Sequence, residues 1–309
     1  MHMGITVIGA VFIDIKGFPL AQYIPGGRNV GNVVQVHGGV SRNIAEDIGN
    51  VNLKPNFLSA VDDSGTSADV LERLQEHGVC TDYIVKEKDG LGIWLAIFDN
   101  HGDVTASISK RPDLMPLRKL LLEKGEEIFQ NSDSIALEID LEEEVLEVVF
   151  DLAEQYQKPV FAAVSNMSIA MERRNYLSRV ACLVCNQQEA ELLFSCSLEN
   201  LDTEQLKHVL YEKAMHAKIR RMVVTLGEEG CIYIDKETCG FYPSYNVDVI
   251  DTTGAGDAFF AGVTIGLTYG KTLQESAVIG TRLASSVIAT KESTCPAFMP
   301  EEFGIKPQV

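Results

Sequence analysis

Short apolar runs alternate along this chain with amphipathic stretches of helical length, and that alternation constrains the fold more than any other feature. Residues 5–10, 56–61, 134–139, 160–164, 181–185 and 222–226 read as strands. Residues 70–78 read as a helix stopped by Gly78, and residues 142–156 and 203–217 as two more. Strands that alternate with helices pack as a sheet covered on both faces. The expected class is therefore α/β, a doubly wound, mostly parallel sheet flanked by helices. A chain of 309 residues is long enough for one such domain. No linker or internal repeat divides it, so residues 1–309 are read as a single domain. Met1-His2-Met3 reads as a cloning remnant, and no signal peptide is expected.

Composition excludes several classes of function. The formal net charge is -18, which argues against binding nucleic acid or an anionic membrane through a basic surface. It leaves room for a nucleoside triphosphate, whose charge a metal and local N–H groups offset. Seven cysteines, an odd number, suggest a reducing cytoplasm rather than a disulfide framework. Cys182 and Cys185 fall on one strand and point to opposite faces, so they do not form half of a zinc site. No G-x-G-x-x-G follows the first strand, which removes the usual dinucleotide fingerprint.

The richest stretch is Asp251-Thr252-Thr253-Gly254-Ala255-Gly256-Asp257-Ala258. It follows an extended segment, residues 245–250, and precedes an apolar helix, residues 258–269. Strand, glycine turn and helix place free N–H groups at the positive end of a helix dipole, which attracts anions. A carboxylate at Asp257 would repel a phosphate, so it reads either as a helix cap or as a general base beside an anion hole. Further upstream, Gly38-Gly39-Val40-Ser41-Arg42-Asn43 opens a helix with two glycines and puts Asn43 in its first turns. Asp14 follows the first strand closely, near the strand end where parallel sheets bind ligands. Glu138 lies near the end of another strand. Asn186-x-x-Glu189 starts a helix and reads locally as a cap with a surface acid. Thr225-Leu226-Gly227-Glu228-Glu229-Gly230 reads as a hairpin turn.

Taken together and in order, these motifs resemble the PfkB (ribokinase-like) family of carbohydrate and nucleoside kinases across nearly the whole chain. The resemblance implies a single PfkB-type kinase domain that moves the γ-phosphoryl group of ATP to a primary hydroxyl, with Mg²⁺. It implies Asp257 as the base, with Gly254, Ala255 and Gly256 as the anion hole. Asp14, Gly38, Gly39, Asn43 and Glu138 would bind substrate. Thr225, Gly227 and Gly230 would contact nucleotide, with Asn186 and Glu189 organising Mg²⁺ through water. Asp251 and Thr253 would help hold K⁺ with backbone oxygens of residues 289–296. Residues 62–67 depart from the family's G-D-D-x-x-G loop, and no ligand contact is assigned there.

Residues 92–98 and 104–109 form a hairpin signal around Asp99-Asn100-His101-Gly102-Asp103. With residues 33–36 they suggest a small sheet apart from the main one. The resemblance implies a lid, residues 15–37 and 91–109, over the sugar site. An apolar outer face on it would call for a partner, and a homodimer is expected. Gly39 to Glu46, Trp94 to Asp99 and residues 161–165 look most like the pseudouridine kinase branch. The expected product is pseudouridine 5′-phosphate. Ribokinase or another sugar kinase is the alternative within the family, and a non-catalytic nucleoside- or sugar-binding regulator the alternative outside it.

Overall fold

A computed structural model describes residues 4–306. Met1-His2-Met3, read above as a remnant, lies outside them. In chain order the strands are β1 (Gly4–Ile8), β2 (Phe12–Pro19), β3 (Gly31–Gly38), β4 (Asn56–Val61), β5 (Ile84–Lys86), β6 (Gly92–Phe98) and β7 (Val104–Lys110). They continue with β8 (Ser132–Glu138), β9 (Val160–Ala163), β10 (Cys182–Asn186), β11 (Arg221–Thr225), β12 (Gly230–Asp235) and β13 (Cys239–Pro243). The helices are α1 (Val40–Asn50), α2 (Gly65–Glu76), α3 (Met115–Gln130), α4 (Glu143–Gln155), α5 (Met167–Glu172), α6 (Gln187–Phe194), α7 (Thr203–His216), α8 (Ala255–Thr268) and α9 (Leu273–Ile288).

The main sheet has nine strands in the order β13-β12-β11-β10-β9-β8-β1-β4-β5. Every pair from β11 to β5 is parallel, and β12 and β13 close one edge antiparallel. Its inner strands are buried on both faces, as their unbroken apolar sequences require. Ile5, Val7, Phe57, Phe161 and Val184 pack on one side with α1, α2, α8 and α9. Ile8, Leu58, Leu137, Leu183 and Val224 pack on the other with α3, α4, α6 and α7. Cys182 and Cys185 separate onto these two faces. Burial raises both thiols well above the ordinary range, so neither offers a ready thiolate.

The chain builds a second sheet, β3-β2-β6-β7, in two excursions, β2–β3 after β1 and β6–β7 after β5. β2 runs antiparallel to β3 and parallel to β6, and β6 and β7 form the expected hairpin. Asp14, expected near the end of the first strand, lies on β2, a strand of this second sheet. In register across this sheet stand Val36, Asp14, Trp94 and Ser109, so they share one face. On the opposite face Val33 and Ile108 are 73% and 70% exposed. Residues 245–250 form no strand. They run irregularly into the glycine loop, held where the Ile250 amide donates to the Ile288 carbonyl at 2.7 Å.

Candidate active site

The two sheets enclose a cleft of about 760 Å³ beyond the C-terminal ends of β1 and β8. From β1 the main sheet grows toward β4 on one side and β8 on the other, the point where open α/β sheets leave a crevice. Two helix N-termini, those of α1 and α8, also reach it. Asp14, Gly38, Gly39, Asn43, Glu138, Asp251, Thr253, Gly254 and Asp257 all line this cleft. These residues were expected to belong to one site, and the fold brings them together from four stretches of chain.

Asp257 sits in the first turn of α8, with Gly254 at the N-cap position. The first backbone bond closing that helix runs from the Ala258 amide to the Gly254 carbonyl at 2.9 Å. The amides of Gly256 and Asp257 precede it, in the stretch where an α-helix has no internal acceptor to offer. Gly254 has φ 83, and a Cβ there would lie 1.9 Å from the Ser293 carbonyl oxygen. Only glycine lets this loop pack on residues 289–296 in this way. Asp251 folds the same loop, accepting a hydrogen bond from the Thr253 amide at 2.9 Å.

The Asp257 carboxylate accepts a hydrogen bond from Asn43 Nδ2 at 2.6 Å. Burial pushes its pKa up to about 7; Asn43 and Arg42 pull down, Glu138 and Asp14 push up. A carboxyl poised there accepts a proton near neutral pH, as a general base must. Glu138 is buried, and its Oε1 accepts from the amides of Ala10 (3.3 Å) and Ser41 (3.1 Å). Burial, and then the neighbouring Asp140, raise its pKa. Burial also raises that of Asp14. Gly38 makes room for Asp14, because a Cβ at Gly38 would stand 2.6 Å from Asp14 Oδ1.

Asn186, Thr225 and Gly227 line a separate cleft of about 360 Å³. Glu189 and Gly230 are not in its lining, and Ala255 and Gly256 are not in that of the larger cleft. Asn186 and Glu189 form a reciprocal capping box on α6, each side chain accepting from the other's amide at 2.8 Å. Among the described residues no cluster of three His, Cys, Asp or Glu forms a metal cage. Asn186 and Glu189 offer one amide and one carboxylate side chain, a small all-oxygen donor set of the kind that suits a cation keeping most of its waters.

Among the residues of the larger cleft that sequence reasoning did not assign to the site are Phe12, Lys16 and Arg42. The signal for two of them was present in Phe12-Ile13-Asp14-Ile15-Lys16, which alternates with the period of a strand. Phe12, Lys16 and Trp94 give the second-sheet side of the cleft an aromatic and cationic lining, with Asp14 on the same face of β2.

These features define a phosphoryl-transfer enzyme of ribokinase-like architecture, and comparison with known proteins supplies its family. Residues 4–300 match the model for the pfkB family carbohydrate kinases, and the chain belongs to that family. It is thus a sugar or nucleoside kinase, a phosphotransferase acting on a hydroxyl group. It is 34% identical to a guanosine-inosine kinase of Exiguobacterium acetylicum, over 94% of this chain and 95% of that one. It is 26% identical to a pseudouridine kinase of Escherichia coli K12, over 84% and 82%. The fold matches a ribokinase of Arabidopsis thaliana solved with ribose and ATP, with TM-score 0.84, 20% identity and 96% of both chains covered.

Proposed function

We propose that this chain transfers the γ-phosphoryl group of ATP to the 5′-hydroxyl of a nucleoside. The observation that carries the reading is the asymmetry of the cleft. Its floor holds Asn43, Glu138 and Asp257, donors and acceptors suited to ribose hydroxyls, and Asp14 reaches in from β2. Its lid wall presents Phe12 and Trp94, with Val34 and Val36 partly uncovered. A free pentose has nothing to cover that wall, whereas a nucleobase has a flat π-face to stack on it. Between bases, the relative at 34% identity favours a 6-oxopurine nucleoside, guanosine or inosine. Pseudouridine, expected from the lid and α1 sequences, has the support of the 26% relative.

Asp257 takes the hydroxyl proton as the oxygen attacks in line, and the α8 N-terminus receives the charge on the transferring group. Asn186, Thr225 and Gly227 hold the nucleotide in the adjoining cleft. Asn186 and Glu189 would hold Mg²⁺ through water, and bound to the triphosphate it neutralises charge there. The oxygens of Asp251, Thr253 and the Ser293 carbonyl suit a K⁺ ion beside the anion loop. Seven free thiols accord with a reducing cytoplasm.

Trp94→Ala separates the nucleoside reading from the sugar reading. One stacked base is worth about 1–3 kcal/mol, so kcat/KM for guanosine is expected to fall roughly 5- to 150-fold. The value for ribose should stay within about twofold, because ribose carries no base to stack on the indole. An equal loss for both acceptors would remove the role of the wall. We further propose that a second copy of the chain covers the exposed lid face around Val33 and Ile108. Sedimentation should give a dimer that Ile108→Glu splits, and a wild-type monomer would reject it.

A further inference from the structure

We propose that Arg42 is a positioning residue for the base, fixing the Asn43 amide that holds Asp257 and joining the lid strand to the anion loop. The inference rests on Asp257 being the base. Arg42 is 1% exposed, among the most deeply buried large side chains. Its guanidinium donates to Glu46 Oε2 at 2.5 Å, to the His37 carbonyl at 2.8 Å and to Ser293 Oγ at 3.2 Å. It also donates to Asn43 Oδ1. His37 belongs to lid strand β3, and Ser293 to the segment on which Gly254 packs. One side chain thus touches the lid, α1 and the support of the anion loop.

The contact with Asn43 sets a direction. A primary amide has an acceptor end and a donor end. Arg42 occupies the acceptor end, so the NH₂ end faces Asp257 Oδ2. A flipped amide would set NH₂ against the guanidinium and carbonyl against the carboxylate, two repulsive contacts. Glu46 holds Arg42 in turn. Burial pushes the Glu46 carboxyl up, but hydrogen bonds and charge from Arg73 and Arg42, with a hydrogen bond from Thr294, hold it at about 2. Glu46 therefore remains an anion across the working pH range and keeps the guanidinium seated.

Arg42 also acts on Asp257 through space. Around that carboxylate stand Asp14 on β2, Glu138 on β8, and Arg42 and Asp47 on α1. Asp251 on the anion loop and Lys291 and Glu292 on the following loop face the same cleft. Burial, Glu138 and Asp14 favour the protonated acid; Arg42 and the Asn43 hydrogen bond oppose them.

The test is the pH profile of kcat/KM with guanosine for wild type, Arg42→Met and Arg42→Lys, with Asp257→Asn beside them. The wild type should lose activity as pH falls through about 7, where Asp257 takes up a proton. Arg42→Met should move that limb up by about one pH unit and lower the pH 7 value by roughly 10- to 100-fold, with only partial recovery at higher pH because the fork is lost as well. Arg42→Lys keeps the charge but not the fork. Its limb should stay in place while kcat falls at every pH. Should Arg42→Met fail to fold, Arg42→Lys decides alone, and wild-type kcat in it overturns the proposal. A folded Arg42→Met with an unmoved limb and wild-type kcat/KM overturns it too. Near-normal turnover in Asp257→Asn would instead remove the base assignment, and the inference with it.

Discussion

Replacing Asp257 by asparagine is expected to lower kcat by about two to four orders of magnitude, the usual contribution of a general base. Asparagine keeps the size of the side chain and can still meet Asn43 after an amide reorientation. What it loses is the ability to take the hydroxyl proton. KM for both substrates should change little, because Asp14, Asn43 and Glu138 still line the acceptor cleft. Stability should move the other way. The folded-state pKa of Asp257 is raised to about 7 from an ordinary value near 3.8, so the folded protein holds this proton more tightly than the unfolded chain does. The stabilisation from that proton is full below about 3.8 and is lost as pH rises through 7. At pH 8 the wild type carries a destabilising carboxylate that asparagine removes. Asp257→Asn should therefore melt higher than wild type at pH 8, with the gap narrowing toward pH 4. A variant with near-normal kcat would reject Asp257 as the base; one that melts lower at pH 8 would reject the electrostatic account of its burial.

The second large effect is expected at Gly254. An alanine there needs a φ of 83, which L-residues rarely adopt, and its Cβ would lie 1.9 Å from the Ser293 carbonyl oxygen. Backbone strain of this kind is worth about 1–3 kcal/mol. The obstacle is main chain, so the loop must move rather than a side chain turn. Movement of the loop misaims the amides of Gly256 and Asp257, and loss of one preorganised donor typically lowers kcat about 10²–10³-fold. Gly254→Ala is expected to lose turnover on that scale and to melt several degrees lower. Gly256→Ala is the comparison, since a Cβ at Gly256 meets nothing within 4 Å. Steady-state kinetics and thermal melts of both check this, and equal behaviour of the two variants would contradict it.

The features that carry the fold were legible because they are local. Apolar runs buried on both faces mark the central strands whatever surrounds them, and the run through Cys182 and Cys185 places its thiols on opposite sides. Glu138 at the end of β8 could be placed from its strand alone. β2 could not. Only three residues separate it from β1, it contains Gly17 and Pro19, and its polar and apolar residues become faces only when β3 and β6 pair with it. Residues 245–250 misled in the opposite direction. Val249 and Ile250 favour extended backbone but are 60% and 56% exposed and pair with no strand.

The candidate site divides in the same way. Asp257, Asn43 and the signature glycines stand in compact motifs, whereas the role of Arg42 depends on partners from β3 and the late loop. Ser293 lies far from it in sequence, and nothing in Ser41-Arg42-Asn43 says where a guanidinium at that position points. The α6 capping box shows a further limit of local pattern. Asn-x-x-Glu is sufficient to cap a helix, and the observed bonds are those of the cap.

The most direct test is ATP-dependent phosphorylation of guanosine, inosine, pseudouridine, uridine and ribose by the purified protein with Mg²⁺, in K⁺ and in Na⁺ at equal ionic strength. Phosphate incorporation is followed by product analysis, with Asp257→Asn as control. The account predicts a nucleoside 5′-phosphate, formed fastest from guanosine or inosine, faster in K⁺, and nearly abolished in the control. Ribose turned over ahead of every nucleoside, or binding of nucleosides with no turnover at all, would contradict it.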